Sequence, residues 1–211
     1  MLIKRTALLV AGLFIATLTM SCNNYDLLQQ LENPGSVKST CGSDCRIFMT
    51  SNTFSGSMGG VYGADNFCRF DPANPAGTGR GNWKAMLTSN NPVRRACLSA
   101  GCAVAGAAEN IDWVLRPNTP YKRADGAPVG TTSGNGIFQT TLTNSIGVIG
   151  VGVWTGLTLD WENTSLNCGN WFDGTSGPEG SIGTATGVIN DAIASGTSFC
   201  NQGNYLYCVE Q

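Results

Sequence analysis

Val153-Trp154-Thr155-Gly156-Leu157, then Cys168-Gly169-Asn170-Trp171, then Phe199-Cys200 and Tyr205-Leu206-Tyr207-Cys208-Val209-Glu210-Gln211 form the stretch whose reading decides the fold. It gathers Cys168, Cys200 and Cys208 with Trp154, Trp161 and Trp171, out of nine cysteines and five tryptophans in the chain. Loops without regular structure need cross-links, and a cysteine this close to Gln211 implies an end tied back onto something earlier. The expected partner of Cys208 is Cys68, with a smaller Cys168 to Cys200 ring nested inside. On the loop-length model the larger closure removes about 5 kcal/mol of unfolded-chain entropy and the smaller about 3.7 kcal/mol.

Outward from that stretch, composition sets the bounds. At 211 residues, 42% hydrophobic and 12% charged, the chain has room for one good core. Its 28 glycines, with many Ser, Thr and Asn, point to an all-β or α+β domain with long irregular loops. Histidine is absent. Ser-His-Asp and Cys-His nucleophilic arrangements, and all histidine-based metal sites, are thereby excluded.

The N-terminus reads as a signal peptide over 1–21. Lys4 and Arg5 precede an apolar run from Ala7 to Leu18, about 12 residues and short of the roughly 20 that span a bilayer. Leu18-Thr19-Met20-Ser21-Cys22 resembles a bacterial lipobox, with Thr19 where leucine is usual, so Cys22 is the expected lipidation site. The alternative is plain secretion with Cys22 free. Setting Cys22 aside leaves an even number of cysteines, which suits an oxidising compartment. Residues 22–40 read as a polar lipidated tether, interrupted by Pro34-Gly35.

The domain is expected over 41–211. Cys41 and Cys45 are spaced as a local disulfide; the zinc half-site reading lacks a second pair at matching spacing. Arg46 to Ser51 reads as a strand, and Val61, Ala64 and Cys68 follow helical spacing, with Cys68 facing inward. No phosphate-binding glycine motif follows. Asp71 to Gly81 is turn-rich, Trp83 to Leu87 a buried strand, and Cys97 with Cys102 a further local pair. Ile111 to Leu115 is a strand candidate, followed by a turn at Ala124-Asp125-Gly126 and a loop over 130–136. In Val148 to Trp154 glycine alternates with Val or Trp, leaving one face bare for close packing. Trp83, Trp154 and Trp171 are assigned to the core, and Trp113 and Trp161 to exposed positions. Asn163-Thr164-Ser165 matches a glycosylation sequon without meaning for an exported bacterial lipoprotein.

Five fragments in order, GADNFC (63–68), GNWKAML (81–87), VWTGL (153–157), CGNW (168–171) and FC…YLYCVE (199–210), resemble the C-type-lectin-like fold. More specifically they resemble its endostatin-like branch and the leptospiral endostatin-like lipoproteins, over residues 41–211. The resemblance implies an α+β domain with long loops and nested disulfides, Cys68 with Cys208 and Cys168 with Cys200. Cys41 with Cys45 and Cys97 with Cys102 remain as local staples. The Glu-Pro-Asn or Gln-Pro-Asp triplet of sugar-binding C-type lectins is missing before Cys168, and Trp171-Phe172-Asp173 only loosely matches their Trp-Asn-Asp. The histidines with which endostatins bind zinc are missing as well.

Without Lys4 and Arg5 the chain carries 10 basic and 14 acidic residues. Arg80, Lys84, Arg94, Arg95, Arg116, Lys122 and Arg123 face only Glu109 and Asp112 within their stretch, whereas no Lys or Arg follows Ala124. One reading is a basic patch for sulfated glycans or acidic faces of host proteins. The other, preferred here, is that these residues are solvated or paired across the fold. Nucleic acid fits poorly with an acidic exported protein. Asp160, Glu162, Asp173 and Glu179 lie in oxygen-rich loops but match no calcium-loop pattern, and no carboxylate pair stands out for glycoside hydrolysis. No cofactor, metal or catalytic residue is expected.

What the resemblance implies is a non-enzymatic adhesin, lipid-anchored at the outer-membrane cell surface. Its expected partners are extracellular-matrix proteins such as laminin and fibronectin, and complement regulators such as factor H. The alternative is a lectin-like module for carbohydrates or sulfated glycans, and a third reading is a periplasmic envelope protein with no host partner. Binding loops are expected between Arg80 and Arg123 or within the Cys168 to Cys200 ring.

Overall fold

The C-terminal run Tyr205–Glu210 is apolar at nearly every position, which demands burial on both faces. The computed structural model, which describes residues 41–211, places it as the central strand of an eight-stranded sheet. The expected signal peptide, Cys22 and the tether lie outside the described residues. Along this strand Tyr207 and Val209 enter one hydrophobic cluster while Leu206 and Cys208 enter the other. That period of two is what a pleated strand imposes.

Ten strands and two short helices, with intervening 3-10 turns, make the fold: β1 (Cys45–Met49), α1 (Gly60–Phe70), β2 (Trp83–Ala85), β3 (Ser89–Asn90), β4 (Val93–Arg94), β5 (Pro120–Lys122), β6 (Pro128–Thr131), β7 (Gly152–Trp154), α2 (Cys168–Trp171), β8 (Glu179–Thr184), β9 (Gly196–Phe199) and β10 (Tyr205–Glu210). The class is α+β, mostly strand, as expected. The sheet order is β6-β5-β1-β10-β7-β8-β9, with β2 also on β10 and β3 with β4 forming a separate hairpin. One edge of β10 runs antiparallel to β1, with Phe48 opposite Cys208. Its other edge is shared: Tyr205 and Leu206 pair in parallel with β7, and Cys208 to Glu210 antiparallel with β2.

The two faces of the sheet are covered differently. On one, the buried side of α1 (Val61, Ala64 and Cys68) packs with Phe48, Trp83, Trp154, Trp171 and Leu206. The Cys68 to Cys208 disulfide clamps this helix to the central strand. On the other, Val114, Leu115, Ile137, Phe138, Leu157, Trp161 and Ile193 from the long loops bury Ile47, Val153, Tyr207 and Val209. The remaining disulfides are Cys168 with Cys200, Cys97 with Cys102 and Cys41 with Cys45.

Several expectations are corrected. Ile111 to Leu115 is no strand: Ile111 makes one isolated bridge to Arg95, and Asp112 turns the chain at a φ of 46°. In its place β5 and β6 form a hairpin around the Ala124-Asp125-Gly126 turn, so residues 130 and 131, expected in a loop, are strand. The run from Val148 shortens to β7, with Val148 itself 70% exposed. Close packing of its glycine does occur at Gly152, where the Asn204 side chain occupies the space a Cβ would need. Trp161 is buried rather than exposed, and Trp113 half-buried, because the two rings meet edge to face at 6.3 Å over the loop-side core. The Cys168 to Cys200 ring, expected as one long loop, contains β8 and β9. Its glycines hid them: a Cβ on Gly180 would sit 2.7 Å from the Trp154 ring, so the strand needs glycine there.

One polar cluster is buried with the core. The Arg94 side chain is wholly inaccessible and forks onto Asp65, at 2.8 Å to each carboxylate oxygen, while its Nε donates to Asp112 at 2.9 Å. Asp65 also accepts from the Ala85 amide at 2.8 Å, and Lys84 pairs with Asp112. The network joins α1, β2 and β4. Burial opposes the guanidinium charge, but the Asp65 and Asp112 carboxylates outweigh it and hold the Arg94 pKa above its ordinary value. Removing the cation strands two carboxylates. Arg94→Met is therefore expected to lower unfolding free energy by about 3 kcal/mol in a denaturant titration; a loss within ordinary surface scatter contradicts the network's role.

Candidate functional site

Residues 167 to 171 form a turn that L-amino acids seldom sustain. Cys168, Gly169, Asn170 and Trp171 all take left-handed φ, at 49°, 59°, 61° and 68°. A run of this kind costs about 1–2 kcal/mol per non-glycine residue and must be held from outside. Three contacts hold it. Cys168 is bonded to Cys200, Trp171 is fully buried with its Nε1 donating to the Thr88 carbonyl at 2.7 Å, and Asn167 caps the Asn170 amide at 2.9 Å. The outcome is that Asn170 Oδ1 reaches the tip of the β3–β4 hairpin, accepting from Ser89 Oγ at 3.2 Å and from the Asn90 and Asn91 amides at 2.8 and 3.2 Å.

A second asparagine braces the same hairpin. Asn163 Nδ2 lies 3.2 Å from the Ser89 carbonyl, 3.3 Å from the Arg94 carbonyl and 3.4 Å from Asn90 Oδ1. Its own Oδ1 is buried without a donor, the one such side-chain atom among the described residues.

The Cys97–Cys102 loop forms the facing wall. Gly101 and Cys102 are both left-handed at a φ of 59°, closing the staple. Glu109, 4% exposed, sits inside it and accepts from the Leu98 and Ser99 amides at 2.7 Å, from Ser99 Oγ at 2.7 Å, and from the Val104 and Ala105 amides at 3.2 and 2.9 Å. Ser99 and the backbone amides of this cradle hold the Glu109 pKa down at about 2, against the cost of burial. The loop then pairs with the 158–163 turn, Cys97 N to the Trp161 carbonyl at 3.1 Å and Gly101 N to the Asp160 carbonyl at 2.8 Å.

Two clefts are bordered by residues of that pairing. The larger, about 370 Å³, is lined by Asn90, Val93, Arg95, Cys97, Leu98, Glu162 and Asn163. The other, about 330 Å³, is lined chiefly by Phe138, Gln139, Leu159, Asp160, Trp161 and Asn190. In the first cleft Leu98 is 67% and Val93 41% exposed, so the lips are apolar. Arg95 uses Nε on the Glu109 carbonyl at 3.0 Å, and among the described residues it has no ion pair and the Glu162 carboxylate has neither hydrogen bond nor ion pair. Rigid walls, apolar lips and uncommitted charges are the makings of a binding site.

The seven basic residues are carried on different elements, paired or solvated, and do not gather into the patch of the other reading. Arg94 is buried and Lys84 shares Asp112 with it. Lys122 pairs with Asp44 at 3.4 Å and Arg123 with Asp125 at 2.6 Å. Arg116 is exposed and donates to the Cys41 carbonyl at 3.3 Å, beside the first staple. Arg80 is exposed and makes no ion pair among the described residues. Of the seven, Arg95 alone lines the larger cleft. Asp173 accepts from Thr175 N and Oγ1 at 2.8 and 2.7 Å, which lowers its pKa, and Glu179 opens β8. Among the described residues no group of three or more His, Cys, Asp or Glu is placed to hold a metal. The sequence reading missed Glu109, Leu98, Asn163 and Asn170 as site-builders; single polar residues in glycine-rich loops carry no periodic signal.

A family described as a protein of unknown function, DUF1554, matches residues 51–188. No curated protein matches the chain.

Glu109 gives the site a pH signature. An unfolded-chain carboxyl titrates near 4.5 and the folded one at about 2, so its stabilisation is complete above pH 4.5 and fades as pH falls through 2. Thermal melts should lose stability over that window, and Glu109→Gln should flatten the loss; an unchanged acid profile in the variant contradicts the cradle.

Proposed function

The chain belongs to the DUF1554 family of proteins of unknown function, and we propose that it is a non-catalytic surface adhesin of the C-type-lectin-like, endostatin-like kind, lipid-anchored through Cys22. In this reading it binds host extracellular-matrix proteins or complement regulators through the face that carries the two clefts. One observation carries the proposal: an internally braced loop face presents exposed Leu98 and Val93 beside uncommitted Arg95 and Glu162. Exposed apolar side chains around a preformed depression, rimmed by charge, are the composition of a protein contact. The nested disulfides, the helix clamped to β10 and the left-handed turn at CGNW support the lectin-like assignment, since they set long loops on a rigid sheet. The dispersed cations move the binding face from the Arg80 to Arg123 stretch at large to the part of it that meets the 158–163 turn.

The lectin-like alternative has its own support. Donors on Arg95 and Asn90 interleave with acceptors on Glu162 across the cleft, a pattern that vicinal hydroxyls match. Saturable glycan-array binding, with no binding to proteins, favours that alternative.

Solid-phase binding of the full chain to laminin, fibronectin and factor H tests the adhesin reading. Saturable binding to at least one is expected, weakened about tenfold or more by Leu98→Asp and unaffected by Val148→Asp. Absence of saturable binding to any of them, or an intact Leu98→Asp variant, overturns it.

A further inference from the structure

We infer that the larger cleft is a receptor for a lysine side chain of the bound protein, an inference that rests on the adhesin reading and specifies its chemistry. The unused groups of the cleft divide by sign. Among the described residues the Glu162 carboxylate has no partner, whereas Asn163 Oδ1, which also lacks a donor, is too deeply buried to touch a bound head group. Asn90 Oδ1 receives only the long 3.4 Å contact from Asn163. The Glu162 carboxylate and Asn90 Oδ1 are acceptors, and a lysine ammonium brings three donors and no acceptor on a compact head. Val93 and Leu98 supply apolar walls suited to a four-carbon stem whose head stays in polar surroundings.

Arg95 sets the condition on the rest of the ligand. Its Nε is tied to the Glu109 carbonyl at 3.0 Å, and it makes no ion pair with Glu162. Its remaining N–H groups take an acceptor, which a backbone carbonyl beside the lysine provides. A bare cation meets Arg95 as a like charge, whereas a lysine within a peptide satisfies both ends. The walls require no rearrangement, because Asn163, Asn170 and the Cys97–Cys102 staple already fix them. The second cleft does not share this composition: of its lining residues only Asp160 is charged.

The test is an amide chemical-shift titration of the full chain with the peptide acetyl-Gly-Lys-Gly-amide, its norleucine analogue and methyl glucoside. The expected result is saturable shifts at Val93, Leu98, Glu162 and Asn163 with the lysine peptide, and none with the other two. Glu162→Gln, a half-exposed change that leaves the fold intact, should weaken the lysine peptide about fivefold or more. Equal shifts with norleucine, shifts with the glucoside alone, no saturation, or an unaffected Glu162→Gln variant each overturn the inference. Host-protein binding by Glu162→Gln separates the two claims. Binding lost in Leu98→Asp but kept in Glu162→Gln sinks the lysine receptor and leaves the adhesin face standing.

Discussion

The insertion of β10 between β1 on one side and β2 with β7 on the other is the constraint on which the rest depends. Without Tyr205–Glu210 the sheet would have no strand joining the β6-β5-β1 half to the β7-β8-β9 half. Its alternating side chains fill both cores at once, and a one-residue slip would exchange Tyr207 and Val209 for Leu206 and Cys208 between clusters of different shape. The Cys68 to Cys208 bond fixes that register covalently, since Cys208 can meet α1 from one face of the strand alone.

From that fixed strand the architecture passes outward in order of decreasing regularity. β7 carries Trp154 against Trp171, with ring centroids 5.7 Å apart, and Trp171 belongs to the left-handed turn whose Asn170 holds the β3–β4 hairpin. On the opposite core face Trp161 anchors the 158–163 turn that pairs with the Cys97–Cys102 staple. The cleft face is thus tied to the sheet by two tryptophans, one from each side of it. Burial of large rings at the roots of the loops, together with amide bridges at their tips, lets a surface with little secondary structure keep a defined shape.

How much of this the sequence disclosed depended on the kind of signal. The helical spacing of Val61, Ala64 and Cys68 and the apolar pattern of Trp83 to Leu87 report burial directly: the helix forms as placed, and the strand stops at Ala85 while Met86 and Leu87 stay buried beyond it. Cysteine spacing pointed to the two local staples, and the nested pairs, favoured by chain position and implied by the resemblance, are also those that the structure contains. Strands β8 and β9 escaped because their sequences, Glu179–Thr184 and Gly196–Phe199, are rich in Gly, Ser and Thr, which read as loop unless the rings packed against them are known. The burial of Arg94 was hidden for a related reason: seven cations close in sequence are carried by different elements, and one lies in the core where α1 supplies its counter-ion. The candidate cleft was the least legible, since Asn163 and Asn170 act through backbone groups far along the chain and Glu109 through amides of a nearby loop that no periodic pattern marks.

Native-state amide hydrogen exchange on the intact, oxidised full chain is the measurement that bears most directly on the central claim. If the frame rests on β10, its amides and those of β1 exchange slowest, at the rate of global unfolding, while the edge strand β9 opens by smaller local fluctuations. Amides of β10 exchanging as fast as those of β9 would contradict the account, because a strand that opens independently cannot be what holds the loop face in place.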